Sequence, residues 1–187
     1  ANQVLIPLEK LYRRYTGESL AVKLSNFADV SERIQYLVTQ VEEITKIDNF
    51  GAYLTAMLEI DAFFMNEDRH TNNIAVIYNE KTQKYELSPF FDQGLCMFAD
   101  INQDYPIDQS LEYCLEKIEA KPFSSDFDIQ LDAAEELYGI QIGFQFTFKD
   151  IQIYLQKNSE NYPREVIRRV EQLLRRQMRK YGYLMKK

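Results

Sequence analysis

Apolar positions at three- and four-residue steps dominate the chain and predict a mostly helical protein. The first clear helix can be capped by Asp29 or Ser31. Its apolar residues share one face: Ile34, Leu37, Val38, Val41 and Ile44.

A second helix is predicted to begin at Asn49, a favourable N-cap residue, and to run to Phe64. Its inner face is apolar except for Asp61. An acid in such a position lies near the rim of the core, or it anchors the loop that follows.

The period then changes to that of β-structure. Ile74–Tyr78 and Tyr85–Phe91 are rich in β-branched and aromatic residues, and a polar connection, Asn79–Lys84, separates them. This pattern predicts a two-stranded ribbon. Pro89 should keep the second strand away from the centre of any larger sheet.

The remainder is predicted to be helical, and the fold class is therefore mostly α with one small β ribbon (α+β), in a single domain over residues 1–187. Thr147 and Asp150 have the spacing of a capping box, and Pro163 suits the first turn of the last helix. The predicted helices are Gln109–Glu119, Leu131–Leu137, Phe148–Lys157 and Pro163–Leu184.

Composition narrows the class of protein. The 187 residues carry a net charge of −7, which argues against nucleic-acid binding over the whole surface. The longest apolar runs are far shorter than a membrane span requires. With only Cys96, Cys114 and His70, a structural zinc site or a disulfide framework is not expected. We therefore expect a cytoplasmic protein.

The charge is unevenly distributed. Lys157–Lys187 contains ten basic residues against three acidic ones, whereas Asp100–Glu136 contains eleven acidic residues and only two lysines. The two segments could be solvated faces that complement each other within the chain. The basic helix could instead bind a partner.

Candidate chemistry lies between the second helix and the ribbon. Met65–Asn73 is an almost wholly polar segment that contains Asp68, and Asp92-Gln93-Gly94 follows the return strand. If the ribbon pairs, the end of the loop and the start of the turn meet at one end. Pairing would therefore bring Asp68, Asn73 and Asp92 together.

Two carboxylates and an amide suit phosphoryl transfer, which needs Mg²⁺ on hard oxygen ligands and an acceptor for the attacking hydroxyl. An Asp, an Asn five positions later, a strand pair and then Asp-x-Gly follow the protein-kinase order. Each motif alone is common. In this scheme Asp68 is the base, Asn73 and Asp92 hold metal, and Gly94 permits a tight turn. His70 is expected to be a buried brace of the loop rather than a metal ligand, since no second His is present.

The segment Asn66-Glu67-Asp68-Arg69-His70-x-x-Asn73, followed by Pro89-Phe-Phe-Asp92, resembles the catalytic loop and metal-binding turn of HipA-like serine/threonine kinases. Phosphatidylinositol-kinase-like enzymes share the Asp-Arg-His order, whereas ordinary protein kinases place His first. The resemblance covers Asp61–Gly94. It implies Asp68 as catalytic base, Asn73 and Asp92 as Mg²⁺ ligands, support of the loop by Asn66 and His70, and ATP as phosphoryl donor. It also implies a protein substrate and, for toxin-type bacterial members, an antitoxin-like partner.

One feature of such kinases is missing from the sequence. They need an N-terminal lobe with a phosphate-covering loop and a lysine. The first 65 residues read as helices and contain only two separated glycines, Gly17 and Gly51. We therefore expect a C-terminal lobe alone, either a piece of a longer protein or a short protein that obtains the other lobe elsewhere. Such a chain should have no measurable turnover by itself.

Two other functions compete with the kinase. The chain could be a kinase-derived helical module that docks a protein partner through its basic helix or acidic segment and catalyses nothing. It could also be a metal-dependent phosphohydrolase that uses the same oxygen ligands.

Overall fold

A small antiparallel sheet and eight helices make up the fold in the computed structural model, which describes residues 2–186. The strands are β1 (Gln3–Pro7), β2 (Ala75–Asn79) and β3 (Lys84–Leu87). The helices are α1 (Leu8–Thr16), α2 (Leu20–Ser25), α3 (Val30–Thr45), α4 (Phe50–Phe64), α5 (Leu111–Lys117), α6 (Phe127–Tyr138), α7 (Phe148–Lys157) and α8 (Arg164–Lys180), with a 3₁₀ turn at Gly182–Leu184. The coarse prediction of a mostly helical α+β protein is confirmed.

The sheet has three strands rather than the predicted two. β2 lies in the middle and pairs antiparallel with both neighbours, Leu5 opposite Ile77 and Ile77 opposite Glu86. The expectation that the first 65 residues are all helical is therefore wrong at Gln3–Pro7. β3 also ends earlier than predicted, so Pro89 lies beyond the strand and needs no place in the sheet.

Side-chain caps begin several helices as the sequence predicts. The Asp29 carboxylate accepts from the backbone N–H of Glu32, and Thr147 and Asp150 form a capping box. Asn49 precedes α4 as predicted, but its φ is 70° and its side chain makes no cap. The Glu42 carboxylate instead accepts from the N–H of Phe50 at 2.9 Å. Pro163 immediately precedes α8 instead of lying within its first turn.

α4 is the central helix of the core. Its residues Phe50, Leu54, Leu58 and Phe63 are fully buried, and it packs against α3, α6 and α8. Burying this many large apolar side chains fixes the helix firmly. Because the catalytic-loop candidate follows α4 directly, the loop starts from a deeply buried helix of the core.

The basic α8 is partly neutralised within the chain. Lys180 forms an ion pair with Asp128 at 2.6 Å, and Arg175 lies near Glu171 and over the Phe148 ring. Arg169 is buried and donates to the backbone carbonyls of the loop before α5. Among the ion pairs of the described residues, Lys180–Asp128 joins the acidic segment to the basic one, so intramolecular complementarity is seen at this pair. Arg168, Arg176 and Arg179 remain exposed. Lys187 lies outside the described residues.

Within the described residues, no helix combines the length and the apolar character that crossing a membrane would require.

Candidate active site

A buried ion pair holds the start of the polar loop. Asp61, on the inner face of α4, accepts from Arg69 Nε at 2.7 Å and from Arg69 Nη2 at 3.0 Å, and both side chains are fully buried. The Asn66 amide also donates to Asp61 at 2.8 Å. Of the two positions considered for Asp61, the structure shows the one that anchors the loop. Burial raises the pKa of Asp61, and the bidentate contact with Arg69 acts in the opposite direction.

Arg69 also connects the loop to the turn after β3. Its Nη1 atom donates to the carbonyl of Asn73 at 2.7 Å and to the carbonyl of Phe91 at 3.0 Å. Phe91 directly precedes Asp92. A single guanidinium therefore bonds to the backbone at Asn73 and at the residue before Asp92, and it brings together the two segments that the ribbon was predicted to juxtapose.

Asp68 and Asn73 are in direct contact. The Asn73 amide nitrogen donates to the backbone carbonyl of Asp68 at 2.8 Å and to its carboxylate at 3.3 Å. These bonds orient the Asn73 amide, since its nitrogen faces Asp68. Within residues 2–186 no donor is bonded to the Asn73 amide oxygen, and that oxygen is not a buried orphan. The described residues therefore leave that oxygen without a hydrogen bond.

Asp92 lies at the surface with a φ of 55° and makes no ion pair with any residue of the described chain. One carboxylate and one amide oxygen, with substrate phosphates and waters to complete the shell, is a donor set that Mg²⁺ accepts. Residues 2–186 contain no cluster of three or more His, Cys, Asp or Glu that could hold a metal unaided. The chemistry of these donors suits a phosphate-associated Mg²⁺, and residues 2–186 contain no self-sufficient metal cage.

Two of the predicted supporting roles need correction. Gly94 does not have a positive φ, and a Cβ added there would meet no atom within 4 Å. The turn places its left-handed residue at Asp92, so its backbone does not require glycine at 94. The His70 side chain is 42% exposed rather than buried, and its Nε2 lies 3.8 Å from an Asp68 carboxylate oxygen. It borders Asp68, and its Nδ1 atom is buried with no hydrogen-bond partner.

Three further contacts at the site were not foreseen. Glu9 at the start of α1 accepts from the Thr71 hydroxyl at 3.1 Å and from the N–H of Ala21, which ties the loop to the first two helices. The Tyr105 hydroxyl donates to Glu67. Lys121, far along the chain, reaches to 3.6 Å from the Asp68 carboxylate. Glu9, Tyr105 and Lys121 are all distant from the loop in sequence, and no local sequence pattern predicts their contacts with it.

The site carries one shifted acid beside Asp68. Burial raises the pKa of Glu67, while the Tyr105 hydroxyl and the charges of Lys121 and Lys117 act in the opposite direction. The loop therefore presents two neighbouring acids, Glu67 and Asp68, to the segment that contains Lys121.

No protein-family model, curated protein or solved structure matches the chain. The functional interpretation therefore depends on the geometry of the site and on the resemblance of its motif.

Proposed function

We propose that this chain is the C-terminal catalytic lobe of an ATP- and Mg²⁺-dependent serine/threonine protein kinase that resembles the HipA-like enzymes. The observation that carries the proposal is the position of Arg69. Its fully buried guanidinium bonds to Asp61, to the Asn73 carbonyl and to the Phe91 carbonyl. One side chain thereby holds the predicted base, amide ligand and carboxylate ligand in neighbouring segments.

Burying the charged Arg69–Asp61 pair is energetically unfavourable, which supports a functional role for the pair. A buried ion pair is often no more stabilising than apolar residues of similar volume. The Arg69 guanidinium donates four hydrogen bonds, and the side chains of Arg69 and Asp61 are inaccessible to water. These bonds fix the geometry of the loop. Accurate placement of groups is the main requirement of phosphoryl transfer, because its transition state needs little covalent help.

In this proposal each residue has a defined task. Asp68 accepts the proton of the substrate hydroxyl, and the Asn73 amide nitrogen orients the Asp68 carboxylate through the bond between them. Asn73, through its amide oxygen, and Asp92 would hold Mg²⁺, which neutralises the charge on the transferred phosphoryl group when bound. A phosphate-covering loop and a phosphate-binding lysine of an N-terminal lobe would come from outside this chain.

The test uses the full-length gene product, labelled ATP, Mg²⁺ and either autophosphorylation or a panel of Ser/Thr peptides. Asp68→Asn should lower the rate by at least about 100-fold, as expected for loss of a general base. The matched control is Asp48→Asn, which changes an exposed aspartate between α3 and α4 and should leave the rate unchanged. Equal rates for wild type and Asp68→Asn would contradict the proposal.

The same assay distinguishes the competing functions. A phosphohydrolase would release inorganic phosphate without labelling any acceptor, and this release would depend on Asp92. A docking module would show neither reaction, and charge reversal at Arg168 and Arg176 would abolish partner binding. The internal contacts of Arg169, Arg175 and Lys180 reduce the basic surface available to such a partner.

A further inference from the structure

Lys121 stands at the candidate active site although it lies 53 positions after Asp68. Its Nζ atom is 3.6 Å from Asp68 Oδ1, the same oxygen that His70 Nε2 approaches at 3.8 Å. The other carboxylate oxygen faces the Asn73 amide. Among the described lysines and arginines, Lys121 is the one that lies within 4 Å of the Asp68 carboxylate.

The backbone that carries Lys121 is held firmly. Gln130 is only 1% exposed, and its amide group bonds to the turn at both ends: the nitrogen donates to the Lys121 carbonyl at 3.1 Å and the oxygen accepts from the N–H of Phe123 at 3.3 Å. Arg33 donates to the Phe123 carbonyl at 2.6 Å. A buried glutamine and an arginine from α3 therefore hold the backbone of residues 121–123 in place beside the polar loop.

The Lys121 ammonium group, in contrast, is not committed to a partner. At 3.6 Å it is beyond ordinary hydrogen-bond distance from Asp68, and its side chain is 50% exposed. Two other described lysines lie closer to their carboxylates: Lys117 donates to Asp104 at 2.8 Å, and Lys180 forms an ion pair with Asp128 at 2.6 Å. The backbone at Lys121 is therefore held in place, while its ammonium group is available to an anion that enters beside Asp68.

We infer that Lys121 binds the transferred γ-phosphoryl group beside Asp68. This inference depends on the proposed kinase function and adds a phosphate-contacting residue to it. A phosphoryl group in line with the substrate hydroxyl must lie next to the base, where Lys121 already stands. In the transition state negative charge is spread over its three equatorial oxygens, and a cation beside them stabilises that charge.

A purely structural role makes a different prediction. A half-exposed ion pair contributes little to stability, and a Lys121 that only paired with Asp68 would not change the preference between an ATP analogue and ADP. If Lys121 contacts the γ-phosphate, it strengthens binding of the ATP analogue and leaves binding of ADP, which has no γ-phosphate, unchanged. The difference between the two nucleotides therefore isolates the inference from general effects on folding.

The experiment measures the affinities of the full-length gene product for a non-hydrolysable ATP analogue and for ADP, both with Mg²⁺, by isothermal titration calorimetry. Lys121→Met should reduce the preference for the analogue by about tenfold, whereas Lys121→Arg should retain most of it. The matched control is Lys180→Met, which removes a shorter surface ion pair at Asp128 and should keep the wild-type preference. Melting temperatures of all four proteins check that each variant is folded.

Phosphoryl transfer by the same proteins completes the test. Lys121→Met should slow transfer by about 100-fold, as expected for loss of one charge-stabilising donor, and Lys180→Met should not slow it. A Lys121→Met protein with wild-type nucleotide preference and rate would overturn the inference while the kinase function stands. A wild-type protein that binds neither nucleotide and transfers no phosphate would overturn both.

Discussion

Replacing Arg69 by methionine should damage the fold more than any other single change in the polar loop. The substitution leaves the Asp61 carboxylate fully buried without its cation, and it removes the donor shared by the Asn73 and Phe91 carbonyls. Breaking a buried pair in this way costs about 3–5 kcal/mol, and each unsatisfied carbonyl adds about 1–3 kcal/mol in principle.

These costs are not additive, because Asp61 can take up a proton and the backbone can relax. We expect a loss of at least about 3 kcal/mol, out of about 5–15 kcal/mol for a typical domain. For a chain of this size, such a loss corresponds to a decrease in melting temperature of about 10 °C. Urea unfolding followed by far-UV circular dichroism measures the free energy of unfolding directly.

Two further variants test the cause of this loss. Adding Asp61→Asn to Arg69→Met removes the stranded charge and should restore at least about 1 kcal/mol, a coupling typical of residues in contact. The matched control is Arg13→Met, which breaks a surface ion pair with Glu9 in which Arg13 is 63% exposed, and it should cost less than about 1 kcal/mol. An Arg69→Met protein within about 1 kcal/mol of wild type would refute the claim that this guanidinium holds the loop.

Two other predictions concern the scaffold. Burial raises the pKa of Glu59, on α4, to about 7, so the stability that this group contributes is complete below its unfolded pKa of about 4.5 and is lost as the pH rises through about 7. Glu59→Gln should therefore flatten the fall in the urea midpoint between pH 5 and pH 8, and an equal pH dependence in both proteins would contradict the assignment. Gly51→Ala should destabilise the protein by about 1–3 kcal/mol, because the added methyl group would overlap the Tyr138 ring. Gly94→Ala meets open space and should leave the urea midpoint almost unchanged, so similar losses for the two variants would show that the packing between α4 and α6 is misjudged.

The sequence predicts the elements whose signals are local. The apolar stripe of α3, its Asp29 cap and the capping box of α7 all depend on residues within a few positions of one another, and the structure contains each of them. β1 was missed because an edge strand at Gln3–Pro7 has no local partner, since β2 lies about 70 residues further along the chain. Its pairing is a tertiary effect that periodicity does not report.

The candidate site shows the same division. The order of Asp68, Asn73 and Asp92 is a linear motif, and pairing of the ribbon strands was enough to predict that the loop and the turn lie close together. The importance of Arg69 was not predicted, because Asp-Arg-His alone says nothing about which partners a guanidinium will meet. Lys121 and Glu9 likewise reach the loop through the tertiary fold, one from a later and one from an earlier part of the chain.

The most direct test of the central claim is whether Mg²⁺ and nucleotide bind together at Asn73 and Asp92. Two-dimensional ¹H–¹⁵N spectra of the full-length gene product, recorded during titration with Mg²⁺ and a non-hydrolysable ATP analogue, report on each backbone amide. We expect concerted shifts of the Asn73 and Asp92 amides that require both ligands and that Asp92→Asn abolishes, while Asp48→Asn preserves them. Unchanged spectra, or shifts that persist in Asp92→Asn, would contradict the assignment of this loop and turn as a phosphoryl-transfer site.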